Sequence, residues 1–214
     1  MPEIIETTVY RLHKLSDDAQ EQARAWYREH ALDPDWFESV YEDFERVCAN
    51  LGVELATRPV RLLGGEQRDK PCIWFSGFWN QGDGASLDGT YSHARGAAET
   101  IRAYAPMDAG LHEIADALQA VQRRNFYQLR ATIARNGRYS HEFTMAISVE
   151  RDSPTGQDMT ADAEDIVIEA IRDLARWLYR QLEREYSYLI SDECVDEAIA
   201  ANGYSFTETG RRFG

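Results

Sequence analysis

The sequence predicts an α+β fold in which a mainly antiparallel sheet, built from hairpins, carries packed pairs of helices. Three observations lead there. Segments of period-two alternation come in adjacent pairs joined by glycine-containing loops, over 72–93 and 125–149. Segments of helical period are bunched between those pairs, over 17–51, 94–122 and 161–202. With 214 residues, 43% of them apolar, the chain can bury one sizeable core. The expected organisation is a single α+β domain over 1–214, with two fused lobes meeting near residue 106 as the alternative arrangement.

The elements follow in order. Residues 3–12 (EIIETTVYRL) are rich in β-branched side chains and read as a strand. Ser16 is placed to cap a helix over 17–31, with Asp17 and Asp18 at the positive end of its dipole. Asp33-Pro34 restarts the chain as a second helix with Trp36, Phe37, Val40, Tyr41, Phe44, Val47 and Leu51 along one stripe, closed by Gly52. Residues 53–63 return as a strand, with Pro59 marking an edge or a bulge.

The run CIWFSGFWNQGDGASLDGTYSH, 72–93, is a hairpin. Matching parity across a five-residue loop, 80–84, sets Trp79 against Ala85, Ser76 against Asp88 and Trp74 against Thr90. Helices over 94–105 and 108–122 follow, separated at Pro106. In 125–149 a three-residue loop, Arg135-Asn136-Gly137, pairs Ile133 with Tyr139, Leu129 with Phe143 and Arg130 with Glu142. Thr160 is the expected cap of a helix over 161–190, and Ser191 of a last helix ending at Asn202-Gly203. A short tail with Tyr204 and Phe206 docks behind it.

Charge bounds the function. Net charge is −14, and it is uneven: residues 1–54 carry −8, residues 55–150 carry +1 and residues 151–214 carry −7. Acidic ends repel phosphates, so direct nucleic-acid binding is not expected; a basic protein surface is the partner such charge suits. The acids that would meet it are Glu38, Glu42 and Glu45 on one helical face, and Asp192, Glu193, Asp196 and Glu197 near the C-terminus. The plainer account of both runs is a solvated, solubilising face.

Enzyme signatures are weak. The loop Asn80–Gly84 lacks the lysine and spacing of a phosphate loop and the alternate oxygens of a calcium loop. Ser86, His93 and Asp88 can be drawn as a triad, but no nucleophile elbow accompanies them. Five scattered histidines, His141 among them on a predicted core face, and three distant cysteines show no metal-ligand spacing, so neither metal nor cofactor is expected. Cysteine usage and the lack of an apolar run of membrane-spanning length suggest a cytoplasmic setting without a membrane. The alternative to partner binding is a small-ligand or catalytic face formed by Trp74, Ser76, Phe78 and Asp88, with Asp83 at the loop tip. Arg172, Arg176, Arg180 and Arg184, four apart on the long helix, could grip an anion or pair with the carboxylates Glu169, Asp173 and Glu183 along the same helix.

The runs LSDDAQEQARAWYRE and DWFESVYEDFERVCANLGV, the motif IWFSGFWNQGDGASLDG and the helix ARWLYRQLEREYSYL resemble those of phage and prophage proteins often labelled as antitoxins of a toxin–antitoxin stability system. The resemblance implies a non-catalytic, acidic protein of a bacterial host cell. Such a protein neutralises a bacterial toxin or defence component by binding it, as a monomer or a homodimer. The family lends no catalytic residues.

Overall fold

The computed structural model describes residues 6–61 and 64–214. The chain is α+β, with antiparallel hairpins and long helices, as the patterning predicts. It divides into two compact units, Met1–Glu38 with Arg184–Gly214, and Ser39–Glu183. The division falls near 38 and 183; residue 106 lies inside the larger unit.

The smaller unit is built on α1 (Asp17–His30) and α6 (Asp192–Ala201). Its core is Leu12, Leu15, Ala19, Ala23, Val195, Ile199 and Phe206, with Tyr10, Trp26, Tyr27 and Tyr204 packed around them. The tail does dock: Phe206 is fully buried, and its neighbours form the two-residue strands β9 (Ser205–Phe206) and β10 (Arg212–Phe213). The strand expected over 3–12 does not extend through the described part; its residues 3–5 lie outside the described residues. Only Tyr10 makes a β-bridge, to Phe206, and Leu12–Lys14 turns as a 3-10 helix. The reason is partnership. Among the described residues the ladder beside it is two residues long, and burying Leu12 and Leu15 needs a turn rather than an alternation.

In the larger unit α2 (Glu38–Leu51) begins four residues later than Pro34, because Asp33 Oδ1 accepts the Asp35 amide at 2.9 Å and holds a turn there. The strand expected over 53–63 is two: β1 (Val53–Leu55) and β2 (Thr57–Arg61), broken at Ala56, with residues 62 and 63 outside the described set. β2 pairs with β3 (Gln67–Pro71); β4 (Ile73–Phe75) pairs with β5 (Ala85–Leu87); β6 (Gly89–Ser92) pairs with β1 on one side and β7 (Leu129–Arg135) on the other. β8 (Met145–Arg151) completes the four-stranded sheet, order β1-β6-β7-β8.

The breaks at Ala56, Cys72 and Asp88 are one event. The Ala56 amide donates to the Asp88 carbonyl at 2.9 Å, the Asp88 amide to Cys72 at 2.9 Å, and the Cys72 amide to Ala56 at 2.7 Å. Each residue gives one bond and takes one, so the β1–β6 ladder and the β2–β3 and β4–β5 hairpins meet in a closed backbone ring. Gly89 lies beside it, opposite Leu55, where the Glu54 carbonyl approaches closely.

Both predicted hairpins form, with other registers. Ile73 pairs with Leu87, Trp74 with Ser86 and Phe75 with Ala85, so the connection is 76–84. Ile133 pairs with Ile147, Ala131 with Val149 and Arg130 with Glu150, and the connection is 136–144. Tyr139 and Phe143, expected in the core ladder, lie in that connection at 61% and 62% exposure. Within it His141 caps a 3-10 turn, Glu142–Thr144, accepting the Phe143 amide while the His141 amide donates to Thr144 Oγ1.

α3 (Ala97–Tyr104), α4 (Ala109–Arg124) and α5 (Ala163–Leu189) supply the helical layer, α5 continuing into the smaller unit. Asp108 caps α4 through the Leu111 amide, and its second oxygen accepts Trp177 Nε1–H at 2.7 Å. Thr160 is not the cap of α5, which starts at Ala163; its amide donates to the buried Asn125, tying the end of α4 to the approach of α5. Phe126 and Tyr127, in left-handed backbone at φ 56° and 61°, follow Asn125, and the Tyr127 amide is held by the Gln122 carbonyl at 2.7 Å.

A methyl group on Gly89 would fall well inside contact with the Glu54 carbonyl, which is backbone and cannot rotate away. Gly89→Ala is therefore expected to destabilise the protein by about 1–3 kcal/mol, the overpacking range. Urea denaturation checks it, and an unchanged midpoint would show that the β1–β6 ladder yields without cost.

Candidate functional site

The face around Trp74, Ser76 and Asp88 is assembled but covered by its own chain. Ser76 Oγ accepts the Gly84 amide at 3.1 Å and donates to the Ser140 carbonyl at 3.2 Å. Asp88 Oδ1 accepts the Arg135 amide, and the Arg135 guanidinium lies 4.1 Å from the Trp74 ring centroid, with that of Arg58 at 5.7 Å. Gly84 abuts His141 so closely that a side chain there would meet its backbone. The cover is the 136–144 connection and the end of β7.

Phe78 does not share this face. Because the paired strand stops at Phe75, Phe78 swings away to stack on Phe75, with ring centroids 5.9 Å apart, and on Tyr179 at 5.5 Å. Tyr179 also donates its hydroxyl proton to the Gly77 carbonyl at 3.0 Å, fixing the loop on α5. On this side Phe75 also meets Tyr41, with ring centroids 6.3 Å apart. Asp83 is a turn residue: its Oδ2 accepts the Trp79 and Asn80 amides at 3.1 and 2.8 Å. Trp79 stands 75% exposed at the tip.

The triad drawn from Ser86, His93 and Asp88 is not wired together: Ser86 is buried and its hydroxyl has no partner among the described residues. Tyr91 beside them is buried under Gln122, and desolvation pushes its phenol up to about 12. Burial likewise pushes the Cys48 thiol well up. Cys48, Cys72 and Cys194 are all free thiols. Among the described residues no three His, Cys, Asp or Glu side chains gather to hold a metal ion, and no helix is long and apolar enough to cross a membrane.

The arginine ridge resolves into ion pairs at one position. Arg176 reaches Glu169 at 2.7 Å, Glu142 at 3.1 Å and Asp173. The Glu142 carboxylate, only 13% exposed, thereby anchors the 136–144 connection to α5. Arg172 approaches Glu169 at 3.8 Å and covers the Phe143 ring at 4.9 Å. Intrahelical pairing thus accounts for Arg172 and Arg176, while Arg180 and Arg184 form no ion pair among the described residues; the bond from Glu142, on another element, was not legible in a spacing argument.

The acidic runs divide by what the fold asks of them. In the smaller unit Arg24 makes a two-pronged bond to Asp196, both prongs 2.7 Å, and Arg28 meets Asp192 and Glu21. Those contacts join α1 to α6. Glu193 and Glu197, on the same helix, are exposed and form no ion pair among the described residues. In the larger unit Glu42 and Glu45 on α2 are likewise exposed and unpaired, following Glu38 at spacings of four and three. Neither set is gathered in a cleft.

The sequence model of a domain of unknown function, DUF8835, matches residues 36–192, and the chain belongs to that family. No curated protein and no solved structure matches it.

Asp83→Ala removes one acceptor from two exposed amides that water can satisfy. The expected cost is about 1 kcal/mol or less in chemical denaturation. A loss of several kcal/mol would mean that the tip is part of the core.

Proposed function

We propose that this chain is a non-catalytic binding protein, acidic and of phage or prophage type, that neutralises a bacterial toxin or defence component by docking on its basic surface. The observation that carries this reading is the selective pairing of its carboxylates. Asp192, Asp196 and Glu21 are matched by Arg24 and Arg28, whereas Glu42, Glu45, Glu193 and Glu197 are exposed without a cation. Unpaired carboxylates at helical spacing serve no purpose in holding the fold, and they steer a cationic partner from a distance. The polar groups of the alternative ligand face are already satisfied internally, through Ser140, Gly84 and Arg135. The setting this reading implies is the cytoplasm of the bacterial host.

The test is recovery of the partner from host lysate on the immobilised chain at low and high salt. One basic protein, held at low salt and released at high salt, is expected. Replacing Glu38, Glu42 and Glu45 together by Lys should abolish that capture while leaving stability nearly unchanged, since exposed substitutions usually fall within about 0.5 kcal/mol. Undiminished capture by a folded triple variant would move the contact off α2, to Glu193 and Glu197. A salt-insensitive partner would remove the electrostatic basis altogether.

A further inference from the structure

The β2–β3 ribbon carries charge opposite to that of the chain. Residues 57–71 hold Arg58, Arg61, Arg68 and Lys70 against Glu66 and Asp69, a net of +2 in a chain of −14. The register sorts them. Arg58 stands directly opposite Lys70, and Val60 opposite Arg68, so these four share one face. Thr57, Pro71, Pro59, Asp69, Arg61 and Gln67 take the other. Like charges set across from each other weaken a ladder, and a lone two-stranded ribbon is marginal in water. The ribbon's residues are mostly exposed.

The cationic face continues into the backbone ring. Arg58 and Arg135, from different strands, both lie against the Trp74 ring, and neither has a carboxylate partner among the described residues. Arg68 has none either, as is also true of exposed arginines elsewhere such as Arg61 and Arg123; what sets this face apart is the register that gathers its cations. Both Arg58 and Arg135 also bear on Cys72, opposing the upward push that burial gives its thiol. A counter-charge is near, since the Asp88 carboxylate accepts the Arg135 amide and also bears on Cys72, but neither guanidinium forms an ion pair with it, so both keep donors for an added anion.

We propose that the face formed by Arg58, Arg68, Lys70 and Arg135 contacts the phosphodiester backbone of duplex nucleic acid. A two-stranded ribbon is the shape the major groove admits, at a width of about 12 Å. Arg68 and Lys70, two residues apart on one strand, are spaced by ~6.6 Å, and Arg58 stands across from Lys70; several cations on one face suit a polyanion rather than a single carboxylate. The net charge, on which the expectation of no nucleic-acid contact rests, averages this face away. It also confines the contact to the ribbon, since the acidic remainder repels the same polymer.

The test is fluorescence anisotropy of the full chain with a labelled duplex of roughly 20 base pairs, at salt from 50 to 200 mM. Three to four phosphate contacts predict that affinity falls about 40- to 150-fold across that range. The double variant Arg58→Ala/Arg68→Ala should weaken binding at least about 10-fold and reduce the salt slope by about 2. Arg123→Ala, exposed and elsewhere in the larger unit, should leave both unchanged. Circular dichroism establishes that each variant is folded. No binding at 50 mM salt, equal binding by the double variant, or tighter binding to a single strand or to polyglutamate would each overturn the proposal.

Discussion

Three backbone hydrogen bonds, joining Ala56, Cys72 and Asp88 head to tail, set where one long-range ladder and two hairpins end and begin. The β1–β6 ladder, the β2–β3 ribbon and the β4–β5 hairpin each stop at one of these residues. Cys72 is buried, so its amide left without an acceptor would cost free energy comparable to a lost bond, while Ala56 is exposed and Asp88 half-buried, so their bonds serve to fix where the neighbouring ladders end. From this ring follow the position of Trp74 beside Arg135, the bond from the Arg135 amide to Asp88, and the seating of β6 between β1 and β7.

The ring also explains which parts of the fold could be read from residue patterns. Alternation fixes parity and nothing more. In the 72–93 hairpin the expected and observed registers differ by an even number, as they do in 125–149, so Leu129, Ala131 and Ile133 remain on the buried side in either. The lengths of the two connections were set elsewhere: by Asp83 and Ser76 in one, and by the His141–Thr144 turn with its Glu142–Arg176 anchor in the other. Those partners are distant in sequence. Helix ends marked by local chemistry, Ser191 and Gly52, were legible because cap and helix lie within a few residues. Ala56 carries no turn signal, and the break there follows from tertiary pairing alone.

Charge behaves in the same way. The summed −14 describes how the molecule looks from far away, but contact depends on which charges are already matched. The smaller unit holds 15 carboxylates and 7 Lys or Arg, a net of −8; the larger holds 22 and 16, a net of −6. Within each, pairing removes some acids from the surface and leaves others, and on β2–β3 it leaves cations instead. The candidate sites named from sequence were placed by composition, so the acidic residues could be found. The cationic face required the Arg58–Lys70 register, which the sequence does not disclose.

Amide hydrogen exchange, resolved by residue, tests the central claim most directly. If the ring holds the β1–β6 ladder and the two hairpins in common, the amides of Ala56, Cys72 and Asp88 exchange together, through the global unfolding reaction, while the exposed ribbon over 57–71 opens locally and faster. Exchange of Ala56 and Cys72 at the rate of the ribbon, with Asp88 still protected, would contradict it: the ribbon would then end in a hinge, and the three ladders would be independent.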